Sequence, residues 1–129
     1  MKTTLKSTIY ILVSILILSG CASIGETPEI TVSNYLNAMV EHDSELIATL
    51  STADWEMNAY LDVDSLTNVE ANLDELSCET ISLENDLAQV VCSGALILSY
   101  DNEQQEIQMD QFTYHLEKVN GRWLVDDRK

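Results

Sequence analysis

From residue 30 onward the hydrophobic pattern has two regimes. Over residues 30–42 (ITVSNYLNAMVEH), Val32, Tyr35, Leu36, Met39 and Val40 recur at intervals of three and four, which predicts an amphipathic helix. Thr27 and Thr31 are both available as its N-cap, and Pro28 suits the first turn. Asp43-Ser44 interrupts the pattern, with Ser44 placed to cap a short helix over Glu45–Leu50. Thr52-Ala53-Asp54 opens a third helical stretch that reaches about Leu61, with Trp55, Ala59 and Tyr60 as its apolar positions. Asp62 to Glu75 is acidic and weakly patterned, and reads as loop with at most one helical turn near Val69–Leu73.

The period then drops to two. Residues 76–83, 87–100, 106–118 and 122–126 read as strands. Polar turns separate them at Glu84-Asn85-Asp86 and Asp101-Asn102-Glu103, and Asn120-Gly121 is the residue pair best suited to a two-residue hairpin. Because the links are short, the strands are expected to be sequential neighbours in an antiparallel meander. N-terminal helices packed on a curved antiparallel sheet of about four strands make an α+β layout.

Residues 1–20 follow a different logic. Lys2 and Lys6 form a positive segment, and Ile9–Leu18 is an apolar run with a single serine. Spanning about 30 Å of hydrocarbon takes roughly 20 residues, so this run is too short to cross. It matches the core of a signal peptide instead. Leu18-Ser19-Gly20-Cys21 then resembles the bacterial lipobox, whose cysteine thiol accepts diacylglyceryl. The expected organisation is a lipoprotein signal peptide over 1–20, a lipidated Cys21 with a short tether over 21–29, and one domain over 30–129. Two or three acyl chains anchor stably where one would be marginal. Ala22 rather than Asp follows the cysteine, which favours the outer membrane if the host has one.

Export also bears on the other cysteines. With Cys21 assigned to lipid, Cys78 and Cys92 remain, in an oxidising space where disulfides persist. Pairing Leu83 with Leu87 across the Glu84–Asp86 turn brings Cys78 opposite Cys92 on one face of a hairpin. A disulfide closing that loop of about 15 residues is worth roughly 3 kcal/mol. No C-x-x-C spacing supports a redox role.

Charge narrows the partners. All 22 acidic residues lie beyond position 20, and no Lys or Arg occurs between Lys6 and Lys118. Without clustered cations there is no footprint for nucleic acid or other polyanions, and an anionic bilayer would repel broad docking. A cationic ligand or a basic partner fits the charge, as does plain solubility outside the cell.

An opening helix of the form V-x-x-Y-L-x-A-M-x-x-x-D (Val32, Tyr35, Leu36, Ala38, Met39, Asp43) and a closing L-x-K-x-x-G-x-W-x-V-D (Leu116, Lys118, Gly121, Trp123, Val125, Asp126) point to a family. Over roughly residues 29–127 the chain resembles the nuclear transport factor 2-like superfamily, the cystatin-like cone of ketosteroid isomerase and scytalone dehydratase, and most of all its small lipoprotein members. The resemblance implies a bent sheet wrapping the first helix, a pocket between them, and dimerisation through the outer sheet face. Its enzymes place a Tyr, Asp or His inside the cone. Candidates here are Tyr35, Tyr60, Asp110, Phe112 and Tyr114 as pocket residues, with His115 turned to the outer surface. A carboxylate in such a pocket would be a potential general acid or base. The isomerase pattern does not map residue by residue, so no catalytic residue is assigned.

Metals and cofactors are poorly supplied. His42 and His115 are the only histidines, and zinc would lack ligands. Asp62-Val63-Asp64 starts like a calcium loop, but Leu66 and Leu73 stand at the fifth and twelfth positions and the turn glycine is missing. At most an irregular, weak cation site remains. No cofactor motif is present. The expectation is a lipid-anchored extracytoplasmic binding or accessory domain of the cell envelope without catalysis. It would take a small apolar or cationic ligand, dock an envelope protein or form a homodimer. The alternatives are an isomerase, dehydratase or hydrolase using the cone pocket, and a structural envelope component whose pocket is closed.

Overall fold

The computed structural model describes residues 26–129. The expected signal peptide over 1–20 and the expected lipidation of Cys21 fall outside the described residues. Helix α1 runs Pro28–Val40, two residues earlier than expected, because Thr27 takes the N-cap position and Pro28 is pre-set for the first turn. The tether expected over 21–29 therefore ends inside a helix. Val32, Tyr35, Leu36 and Met39 form the buried stripe. The helix stops at Val40, and His42 turns the chain with φ 57°. Helix α2 is Ser44–Thr49, and its cap is Asp43 rather than Ser44: the Asp43 carboxylate accepts from the Leu46 amide at 2.9 Å. Helix α3 is Glu56–Asp64.

Among the described residues the sheet has five strands where about four were expected: β1 Glu70–Glu84, β2 Leu87–Tyr100, β3 Glu103–Gln108, β4 Thr113–Val119 and β5 Arg122–Arg128. Two expectations fail here for the same reason, a break in alternation. Residues 70–75 belong to β1 and not to a loop. Ala71 and Leu73 face the core, but Asp74 and Glu75 are both exposed around a bulge where Glu75 has φ 50°, so the period-two signal is lost. The expected strand 106–118 is split by a 3₁₀ turn, Met109–Gln111, that buries Met109 and redirects the chain. Consequently β4 pairs with the first half of β2 (Leu87–Val91) and β3 with its second half (Ala95–Tyr100), while β3 and β4 do not continue as a simple meander. Asn120 and Gly121, with φ 51° and 79°, make the expected hairpin between Val119 and Arg122.

Cys78 and Cys92 are bonded, S–S 2.07 Å, and lie directly opposite in β1 and β2. The route to that pairing differs from expectation. Glu84 opposes Leu87 and Leu83 opposes Ala88, one step off the predicted register, and an irregularity at Ile81 restores it before the cysteines.

The core lies between α1 and the inner sheet face, where Val32, Tyr35 and Leu36 meet Val90, Cys92, Tyr114, Leu116 and Val125. Thr31 donates to the Trp123 carbonyl at 3.3 Å, and Thr80 donates to Glu29, tying both sheet flanks to α1. Helix α2 is bound to the edge by Val125 N to Leu50 O at 2.8 Å.

Gly94 sits where the sheet bends. Its φ is 96°, and a Cβ there would lie 2.5 Å from the Asp74 carbonyl oxygen and 2.6 Å from that of Glu75. Gly94→Ala should lower stability by about 1–3 kcal/mol or more, read as the urea midpoint. Reducing the disulfide should lower it by about 3 kcal/mol in the same assay. A Gly94→Ala protein as stable as the parent would show that the bend does not need the close approach.

Candidate functional site

Helix α3 presents Ala59, Asp62 and Val63 on one face, at spacings of three and four, toward α1 and the sheet. Asp62 there meets Arg128 of β5. The guanidinium donates from Nη1 to Oδ2 at 2.7 Å and from Nη2 to Oδ1 at 3.0 Å, a two-pronged pair. The Tyr35 hydroxyl donates to Asp62 Oδ2 at 2.7 Å and accepts from Trp55 Nε1 at 3.1 Å. Arg128 also lies over the Phe112 ring, 5.6 Å from its centre. Tyr35 and Tyr114 pack with ring centres 6.2 Å apart.

Arg128 reaches this position because β5 carries an extra residue. Leu116 opposes Val125, but His115 opposes Asp127 and Tyr114 opposes Arg128, so Asp126 bulges. Strict alternation from Val125 would turn Asp127 inward; the bulge turns Arg128 inward instead. Thr52 holds the bulge by donating to Asp126 Oδ1 at 2.7 Å.

Asp62 and Arg128 form one wall of a cleft of about 300 Å³. Apart from Ser65 its remaining walls are apolar: Met39 from α1, Leu66 after α3, Leu96 and Leu98 from β2, and Ile107 with Met109 beyond it. Phe112 and Tyr114 line it on the Arg128 side. Burial raises the Tyr35 hydroxyl far above its ordinary pKa, and the negative charge of Asp62 adds to this. Burial likewise pushes Tyr114 up to about 12, with Arg128 opposing. Burial works against the Arg128 cation, but the hydrogen bonds and charge of Asp62 outweigh it, leaving its pKa raised. All the ionisable groups at this wall are thus committed to one another. Both Asp62 oxygens accept from donors, and both tyrosines stay protonated.

The candidate residues do not all converge. Phe112 and Tyr114 line the cleft, and Tyr35 lies beneath it, fully buried. Asp110 does not share their face: it is exposed on the 3₁₀ turn, because the strand that would have aligned it is broken there. Tyr60 is off the α3 face that meets the cleft, and its hydroxyl donates to Glu56 at 3.0 Å. His115 lines a separate hollow of about 250 Å³ with Glu84, Leu87 and Asp127. Sequence reasoning missed Asp62 and Arg128. The available signal was scarcity, since residues beyond position 20 hold only Lys118, Arg122, Arg128 and Lys129 as cations against 22 acids. Among the described residues no group of three or more His, Cys, Asp or Glu could hold a metal ion.

No protein-family model matches the chain, and no curated protein matches it in sequence. Solved structures do. A dehydratase candidate of the NTF2-like family from Streptomyces avermitilis superposes with TM-score 0.59 at 13% identity, covering 82% of this chain and 93% of its own. A SEC-C motif-containing protein from Rhodopseudomonas palustris gives 0.57 at 13%, covering 81% and 78%. An NTF2-like protein with a cystatin-like fold from Novosphingobium aromaticivorans gives 0.55 at 12%, covering 78% and 75%. The fold is therefore the NTF2-like, cystatin-like cone that the opening and closing motifs implied.

Asp62→Ala strands the Arg128 charge and the Tyr35 hydroxyl, and should lower stability by roughly 2–4 kcal/mol, a fall in Tm on the order of 10 °C. Adding Arg128→Leu should recover part of the loss, because the orphaned charge is gone. Thermal melts of the single and double variants check this.

The raised tyrosines give a second test. They stabilise the fold fully below the unfolded tyrosine value of 10.0, and this is lost as pH rises toward the folded value of about 12 for Tyr114. Stability should fall steeply across that window, and Tyr114→Phe should flatten the slope in denaturation measured against pH.

Proposed function

We propose that this chain is a lipid-anchored extracytoplasmic domain of the bacterial envelope that binds a small molecule in its cone cleft without transforming it. The observation that carries the binding reading is the cleft itself. It is lined mostly by apolar side chains, and its ionisable wall is already neutralised by the Asp62–Arg128 pair. A general base needs free lone pairs aimed at the substrate. Here both Asp62 oxygens are occupied by three donors, so proton abstraction would first have to break the ion pair. The Cys78–Cys92 bond supports an oxidising compartment, and Lys2, Ile9–Leu18 and Leu18-Ser19-Gly20-Cys21 support export and anchoring.

A dehydratase-type enzyme is the second reading. It is favoured by the name that one similar structure carries and by the contact of an inward carboxylate with a tyrosine.

Two measurements test the proposal. The intact mass of protein from native envelopes should show a chain starting at Cys21 and carrying acyl groups; an unmodified Cys21 or another mature start overturns the anchor. Extraction under non-denaturing conditions should retain a non-covalent small molecule. Turnover of a hydratable substrate that disappears in Asp62→Asn would replace the binding reading with the enzymatic one.

A further inference from the structure

The cleft does not stop at Leu98. Beyond the helices, the start of β1, the end of β2 and all of β3 extend as a three-stranded arm: Ala71 pairs with Leu98, Leu73 with Leu96, and Ile107 with Leu96. These five apolar side chains share one face, partly buried against the core edge. The opposite face carries Glu70, Asn72, Asp74 and Glu106 around Ile97 and Ala95. A second hollow of about 330 Å³ lies on the same side as those apolar side chains, with Val69, Leu98 and Tyr100 as its apolar lining and Glu103, Gln104 and Gln105 of β3 along its rim. Leu98 lines both hollows, so they adjoin there and together follow β2 as a trough. From Leu96 to Tyr100 it runs on the order of 13 Å at about 3.3 Å per residue, with Arg128 beside its inner end.

The polar chemistry at that end is one-sided. A guanidinium has five N–H donors and no acceptor. Arg128 gives two to Asp62 and is 28% exposed, whereas Asp62 is 13% exposed and already accepts three hydrogen bonds. The Asp62–Arg128 wall therefore offers donors, and a ligand's polar group placed against it must accept. An anionic head would compete with Asp62 for Arg128 and strand a partly buried carboxylate, at a site surrounded by a strongly acidic domain. A cationic head would face the guanidinium directly. Only a neutral acceptor avoids both conflicts.

We propose that the trough takes an elongated, neutral, apolar molecule with a single acceptor oxygen at one end, of the kind found in long-chain alcohols and their esters. The oxygen accepts from Arg128, and the chain lies along Leu96, Leu98 and Tyr100. This deepens the binding function proposed above and rests on it.

The molecule carries its own reporters. Met39 and Met109 line the cleft, while Met57 on α3 is 68% exposed and away from it. The processed lipoprotein, held in bilayer discs of zwitterionic phospholipid, is titrated with decanol, decanoate and decylammonium while methionine methyl resonances are followed. Decanol should shift Met39 and Met109 saturably and leave Met57 in place, and the two charged analogues should bind at least about tenfold more weakly, a gap of about 1.4 kcal/mol. Leu98→Trp, which fills the junction of the two hollows, should weaken decanol by a similar factor and leave hexanol less affected. If a charged analogue binds as well as decanol, the ligand class is wrong while cleft binding stands. If none of the three moves Met39 or Met109, cleft binding fails too. Equal shifts at all three methionines would mean non-specific partitioning and overturn the proposal.

Discussion

At Gly94 the backbone of β2 passes so close to the carbonyl oxygens of Asp74 and Glu75 that no side chain fits between them. The rest of the architecture follows from that approach. A bulge bends its strand and increases local twist. Bent here, the sheet can cover α1 with the inner face of β2, β4 and β5, and still send the far ends of β1 and β2 past the helices with β3. A flat sheet would either leave α1 half covered or have no arm. The disulfide at Cys78–Cys92 clamps the same two strands beside the bend, on the core side.

The second organising contact is electrostatic. Asp62 and Arg128 bring together the last helix and the last strand, the two elements that flank the cleft. A buried ion pair need not stabilise a fold relative to apolar residues of the same shape, but breaking one leaves a charge without a partner. Its consequence here is chemical as much as energetic. It fills one wall of the cleft with groups that satisfy one another, keeps the Tyr35 hydroxyl donating inward, and leaves the guanidinium's remaining donors facing the cleft, which Ser65 also lines. A site so arranged is better suited to holding a neutral molecule than to moving protons.

The acidic surface belongs with this picture. With 22 acids and four cations beyond position 20, the domain repels anionic surfaces and polyanions. One of those four cations is partly buried against Asp62, which further thins the positive charge at the surface. One edge of the sheet is also guarded: the long edge strand β1 carries Glu70, Asp74, Glu79 and Glu84 and two register breaks, the usual devices against strand-to-strand pairing.

What was legible in the sequence was whatever depends on local period and local turn chemistry. The buried stripe of α1, the Asn120-Gly121 hairpin, the pairing of Cys78 with Cys92 and the family resemblance all rest on spacings of two, three or four residues. What was not legible was set by single residues that change parity. Glu75 hid the start of β1, Ile81 moved the turn register and restored it, and Asp126 turned Arg128 inward where Asp127 was due. Asp110 was misplaced because Met109 prefers the core to a continued strand. The sequence by itself determined the layers, the cysteine pair and the charge. The tertiary structure alone decided which ionic groups meet at the cleft, because a bulge costs little locally and is chosen by the backbone and side chains packed against it, here Gly94 for one and Thr52 for another.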